Sequence, residues 1–169
     1  INQGDNFLRI DATQAARAIA DMPWVSSVTV NRTFPSTVEI ELAEREAAVF
    51  VKRDDGDHVI DTEGLPIIIG TPPFGTVEIT GTSEDDPDVL PAAIEVINAI
   101  TDYKPELKEQ IATIDAPDRF DILLKLTDGR EIYWGSSENS HDKAVALSTV
   151  IKREGQEWNI SSPSMVTVR

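Results

Sequence analysis

Phe120-Asp121-Ile122-Leu123-Leu124-Lys125-Leu126 runs into Thr127-Asp128-Gly129 and leaves as Arg130-Glu131-Ile132-Tyr133-Trp134. Phe120, Ile122, Leu124 and Leu126 fall at every second position, as do Ile132 and Trp134, so each arm predicts a strand with one apolar face. An Asp-Gly pair between two such arms is a strong hairpin signal, because glycine accepts the positive φ a tight turn imposes. On the C-terminal side a helix is predicted over about His141 to Glu154, with Ala144, Leu147 and Ile151 on one stripe and Gly155 closing it, and Trp158 to Arg169 follows as an extended segment. On the N-terminal side Leu90, Ile94 and Ile97, flanked by Ala93, Val96 and Ile100, predict a helix over 89–101 behind an alternating strand at Thr76 to Thr80. A weaker helical stretch follows Pro105. Two more strands, Ala47 to Lys52 and His58 to Asp61, flank the turn Asp54-Asp55-Gly56-Asp57, after which Gly64 and Pro66 break the chain.

The first 46 residues read differently. Asp11 with Gln14 forms a capping-box pattern at the head of a helix over Ala12 to Met22, which Pro23 ends. Val28 and Val30 alternate with polar residues, Phe34-Pro35-Ser36 supplies a turn, and Val38, Ile40 and Leu42 alternate again against Glu39 and Glu41, predicting a hairpin under the helix. Trp24 is expected to be buried at the helix-to-strand junction as a packing anchor. The expected fold class is therefore α+β: a helix on a β-hairpin over residues 1–46, then an antiparallel β domain with two or three helices over residues 47–169. One helix on two strands buries little, so the first part is expected to be the less stable.

Composition narrows the function. The chain has 169 residues, 30 acidic against 15 basic, a net charge of −15 and no cysteine. A 40% hydrophobic content supports a packed core rather than a disordered polyanion. The acidic balance supplies no basic footprint for phosphates, so nucleic acid is not an expected partner, and disulfides, zinc–thiolate sites and thiol catalysis are excluded. Fourteen of the 30 acidic groups lie between residues 51 and 110, against four basic ones. Their densest point, Glu84-Asp85-Asp86-Pro87-Asp88, reads as a solvated loop that also favours a helix N-terminus through the macrodipole. No apolar run approaches the roughly 18 residues of a membrane helix. The start at Ile1 rather than methionine predicts that a targeting or anchoring segment precedes it.

Candidate chemistry is sparse. His58 and His141 lie in polar surroundings without metal spacing, and no nucleophile elbow is present. Asp54-Asp55-Gly56-Asp57 lacks the alternating acidic ligands of a calcium loop. Asn31-Arg32-Thr33 and Asn159-Ile160-Ser161 fit a glycosylation pattern too short to carry a role. No catalytic residue, cofactor or metal ligand is assigned, and the chain is expected not to be an enzyme.

A string of residues in order carries more. Phe7-Leu8-Arg9-Ile10-Asp11, the Ala-rich helix, Met22-Pro23-Trp24-Val25, Val28-Thr29-Val30, Arg32-Thr33-Phe34-Pro35, Val38-Glu39-Ile40 and Glu44-Arg45-Glu46 resemble the end of the POTRA domain in the FtsQ/DivIB family of bacterial cell-division proteins. Val59-Ile60-Asp61 with Gly64, then Phe120 to Leu126, Asp128-Gly129-Arg130, Trp134-Gly135, Lys143 with Leu147, and the closing strand follow the order of that family's β domain. The resemblance implies a partial POTRA domain over 1–46, an FtsQ-type β domain over 47–169, and a single-pass membrane protein whose anchoring helix is missing from this chain. It implies an extracytoplasmic, non-enzymatic divisome protein at the septum that binds FtsB/DivIC-type and FtsL-type partners and helps regulate septal peptidoglycan synthesis. One departure is plain: many members carry an arginine after the aliphatic residue of the closing strand, where this chain reads Asn159-Ile160-Ser161-Ser162-Pro163.

The alternative is a POTRA-containing protein of polypeptide transport or chaperoning that binds client strands by β-augmentation. Such arrays repeat their pattern, and this chain has no internal repeat. Partner binding is expected at the closing strand, through Trp158, Asn159, Ile160, Ser161, Ser162, Pro163, Ser164, Met165, Val166 and Thr167. Pro163, lacking an amide hydrogen, suits an edge strand. A regular strand would set Trp158, Ile160, Val166 and Val168 on the core side and turn the amides of Ser161, Met165 and Thr167 to the open edge.

Overall fold

The computed structural model describes residues 11–82 and 87–168. Phe7 to Ile10, Glu84 to Asp86 and Arg169, which figured in the sequence reading, lie outside the described residues. The chain divides into two compact units, residues 1–46 and 47–169.

In the first unit, helix α1 (Ala12–Ala20) precedes strands β1 (Val25–Thr33) and β2 (Thr37–Glu44), which pair antiparallel. The Asp11 carboxylate caps α1, accepting from the amides of Thr13 and Gln14 at 3.0 Å each, which satisfies two of the donors a helix start leaves orphaned. Helix α1 packs on β1 yet has no buried residue, and among the unit's described apolar side chains only Val25 is buried. Trp24 is 41% exposed, against expectation: one helix over two strands encloses too little volume to close over an indole. With so few protected contacts, this unit should open locally before the second does. Limited proteolysis is expected to cut first before residue 50; first cuts within 111–169 would contradict it.

The second unit is built on one nine-stranded sheet. Its strands are β3 (Ala47–Arg53), β4 (Gly56–Asp61), β5 (Pro66–Ile69), β6 (Val77–Thr80), β7 (Ile111–Asp118), β8 (Asp121–Leu126), β9 (Glu131–Gly135), β10 (Glu157–Asn159) and β11 (Thr167–Val168), with helices α2 (Val89–Tyr103), α3 (Pro105–Lys108) and α4 (Ser140–Val150) between them. Spatial order is β11-β10-β9-β8-β7-β6-β3-β4-β5. The α+β class holds, but the sheet is mixed: β3/β6, β6/β7 and β9/β10 are parallel. Two of these follow from connectivity, since α2 links β6 to β7 and α4 links β9 to β10, and parallel neighbours need a long crossover. Period-two alternation is blind to strand direction.

Register explains the core. Val51, Ile79, Ile114, Leu124, Ile132 and Trp158 lie opposite one another in successive strands, and with apolar residues of α2 and α4 they form one cluster. The adjacent row, Phe50, Glu78, Thr113, Lys125, Glu131 and Glu157, points to the other face and is mostly polar, as expected where helices cover only one side. Ile122, Leu124 and Leu126 are buried as the alternation predicts, whereas Phe120 is 60% exposed. Phe120 belongs to the turn before β8, its amide donating to Asp118 Oδ1 at 2.6 Å, so strand periodicity does not govern it. Strands β5 and β7 were not anticipated: Pro66 reads as a breaker, and the apolar positions of β7 are interrupted by bulges. Asp88 precedes α2 without a side-chain capping bond and pairs instead with Arg119 Nη1 at 2.6 Å.

The Asp128-Gly129 turn is tied to α4 by Arg130. Its guanidinium donates to the carbonyls of Ile151 and Arg153, at 2.9 and 3.1 Å, at the C-terminal end of the helix where unpaired carbonyls concentrate negative charge. Its Nε also donates to Asp128, and that hydrogen bond holds the Asp128 carboxyl below the usual range.

Candidate functional site

Beyond β9 the chain enters α4, whose first turn is secured by a buried lysine. Lys143 Nζ donates to the Ser136 carbonyl at 2.7 Å, and burial lowers its pKa against the opposing pull of Glu138. After α4 the chain returns as β10, which inserts beside β9 because Trp158 and Ile160 are buried in the core. Tyr133, opposite Asn159, has its pKa raised by burial and by Asp121.

The closing segment is not one regular strand. Strand β10 ends at Asn159, residues 160–166 turn, and β11 pairs back antiparallel on β10 as the last strand of the sheet. Asn159 Oδ1 starts the reversal by accepting from the amide and hydroxyl of Ser161, at 3.0 and 2.7 Å. The Met165 amide donates to the Ser162 carbonyl at 2.9 Å. Neither the Ser161 nor the Met165 amide therefore faces an open edge. Thr167 is reversed as well. Ile160 donates to Tyr133 and Glu131 to Gln156, so even-numbered residues of β10 bond to β9 and Asn159 turns toward β11. Its partner Thr167 consequently turns inward, and the amides of Val166 and Val168 face outward. The turn inserted between β10 and β11 inverts the expected parity. Val168, expected on the dry side, does lie opposite Trp158 but is half exposed at the sheet edge, and Val166 packs against the core.

The ten expected contact residues thus separate. Trp158 and Ile160 are core. Asn159, Ser162, Ser164, Met165 and Thr167 are exposed, and Ser161, Pro163 and Val166 are half-buried. Pro163, Ser164 and Val166 form one wall of a groove of about 480 Å³ whose other wall is α4, through Val145, Ala146 and Thr149, with Asp142 and Arg153 as its charged residues. This α4 wall was missed by the sequence reading. The exposed Val145, off the stripe of Ala144 and Leu147, was the available signal.

Elsewhere, His58 Nε2 lies 2.7 Å from Asp55 Oδ1, and His141 meets the Tyr103 ring edge-on. A second hollow, about 570 Å³ beside Lys52, Glu78 and Leu90, contains an ion pair of 3.0 Å between Lys52 and Glu78. Among the described residues no group of three or more His, Asp or Glu could hold a metal ion, and no helix is long and apolar enough to cross a membrane.

Comparison with known proteins places these features. Residues 37–166 match the family described as Cell division protein FtsQ/DivIB, C-terminal, and residues 1–45 match the POTRA domain, FtsQ-type. A Cell division protein FtsQ from Corynebacterium glutamicum is 67% identical over the whole chain, which spans 76% of that relative. Those of Mycobacteroides abscessus and Mycobacterium leprae are 33% and 32% identical over the whole chain, which spans about half of each, 54% and 49%. A solved extracytoplasmic domain of the division protein DivIB from Geobacillus stearothermophilus aligns with 66% of this chain and 98% of its own, at 16% identity and a TM-score of 0.47, too loose a match to weigh.

Proposed function

This chain belongs to the FtsQ/DivIB family of bacterial cell-division proteins, and from that membership we propose that it is the extracytoplasmic part of a membrane-anchored, non-enzymatic divisome scaffold that binds FtsB/DivIC-type and FtsL-type partners at the septum. Through them it helps regulate septal peptidoglycan synthesis. Residues 1–46 serve as the C-terminal part of a POTRA domain and residues 47–169 as the partner-binding β domain. The transport or chaperone alternative is not favoured, since the FtsQ/DivIB match covers most of the second unit.

The observation that carries the reading is the outer edge of β11. Val166 and Val168 turn backbone groups outward there, beside the groove against α4, and the exposed Met165 lies on the turn between. A partner strand laid along β11 would pair with those amides, at about 0.5–1.5 kcal/mol net per bond, and set side chains into the groove. Met165→Pro is a poor test because that amide stabilises the turn. Truncation after Gly155 is poorer, since it strips Trp158 and Ile160 from the core. Val168→Pro removes an outward donor without touching the Asn159–Thr167 pair. It is expected to weaken an FtsB-type peptide about two- to twelve-fold by calorimetry, the equivalent of one such bond. Truncation after Ser164, which spares Trp158 and Ile160, should weaken it further. Unchanged affinity for both variants would exclude β11 as the docking edge.

A further inference from the structure

At the opposite edge of the sheet lies β5, Pro66-Ile67-Ile68-Ile69. Val59 opposes Ile68 and the Gly70 amide donates to the Asp57 carbonyl at 2.9 Å, so by ladder alternation Ile69, opposite His58, turns its own amide and carbonyl away from β4. Ile67 has no cross-strand partner; it is the extra residue of a bulge. Side chains here are as open as the backbone. Ile68 is 54% exposed, Ile69 53%, and Leu65 and Phe74, on either side of the strand, are also exposed, Phe74 completely. Edge strands are ordinarily protected by charges of their own. Strand β5 carries none and relies on brevity and Pro66.

The chain on either side of it is charged with one sign, and the cations Lys52 and Arg53 lie one strand further in, on β3 beyond β4. From residue 54 to residue 103 the chain has twelve Asp or Glu and no Lys or Arg. Asp54, Asp55 and Glu63 are exposed on the turns that flank β4, the strand on which β5 pairs. We propose that the β5 edge is a second strand-addition site, taking an extended segment of another protein in which apolar residues alternate with lysine or arginine. Charge selects this occupant. A second copy of the chain would bring another fifteen net negative charges to the same edge, whereas a basic strand neutralises the field while its apolar side chains cover Ile68 or Ile69. The inference is independent of binding at β11, on the far side of the sheet.

The test titrates isotope-labelled protein, residues 1–169, with the peptide Lys-Val-Lys-Val-Lys-Val-Lys and with its counterpart carrying glutamate for lysine. The basic peptide is expected to shift the amides of Ile67 and Ile69, and its affinity to fall about ten-fold between low and high salt as screening removes the attraction. Ile69→Pro deletes an outward donor and no ladder bond, and should weaken binding several-fold with the exchange protection of Val59 retained. Asp54→Lys, at an exposed turn, should weaken it without any bearing on the strand. Equal binding of the acidic peptide, shifts confined to the β11 end, or unchanged affinity for both variants would overturn the proposal. So would a concentration-dependent dimer of the free protein that Ile69→Pro abolishes, since the occupant would then be a second copy.

Discussion

Trp134→Ala is expected to destabilise the second unit by about 3–5 kcal/mol, the cost of emptying a fully buried aromatic site whose walls relax only in part. Trp134 has no solvent exposure and ends the β9 side of the core, next to Gly135 and the loop that enters α4. At roughly 3–5 °C per kcal/mol for a unit of this size, the melting temperature should fall by about 10–20 °C. Trp134→Phe separates volume from polarity. The Trp134 indole N–H has no hydrogen-bond acceptor among the described residues, so phenylalanine forfeits packing but no bond, and the cost should be about 1–2 kcal/mol. Thermal unfolding followed by circular dichroism measures both variants. A drop of less than about 5 °C for Trp134→Ala would show that the core does not depend on this ring.

Gly155→Ala should detach the outer edge of the sheet. Gly155 holds φ at +145°, and a Cβ there would lie 2.5 Å from Val168 Cγ2 and 2.8 Å from Trp158 Nε1. Trp158 is locked in the core and Val168 is half exposed, so Val168 gives way and takes β11 with it. The expected cost is about 2 kcal/mol, combining backbone strain with overpacking. The decisive readout is local: the Thr167 amide loses its hydrogen-exchange protection while Leu124 and Ile132 keep theirs, and binding at β11 falls with it. Gly129→Ala is the control. Gly129 also has positive φ, +88°, but nothing lies within 4 Å of its missing Cβ, so it carries strain alone. If Gly155→Ala cost no more than Gly129→Ala and left Thr167 protected, the contact with Val168 would have no structural weight.

Local chemistry was legible wherever a residue answers to its immediate neighbours. Asp11 caps α1, and Asp128-Gly129 turns between β8 and β9. Of the stripe Leu90, Ile94 and Ile97 on α2, Ile94 and Ile97 are buried, as is Ile100 beside them, and Leu90 is half-buried. The ordered string from Phe7 to the closing strand marked the family to which the chain belongs. Burial of Trp24 and Phe120 was misjudged because hydrophobicity says what a side chain prefers, and only the surrounding elements say whether there is volume to receive it. The candidate site shows the same limit at the backbone. Pro163 suggested an edge, yet in a strand a single turn shifts every donor after it, so the outward amides became those of Val166 and Val168.

Residue order alone determined the α+β class, the change of character near residue 46, the hairpin at Asp128-Gly129 and the apolar faces that form the core. These depend on periodicity and turn chemistry, which act over a few residues. Tertiary structure alone decided that β6 lies between β3 and β7, that β9 and β10 run parallel, and that β5 and β11 are the two edges left open. The reason is that strand neighbours and directions are chosen by which apolar faces can be buried together under α2 and α4, a condition on the whole assembly that no short stretch of sequence contains.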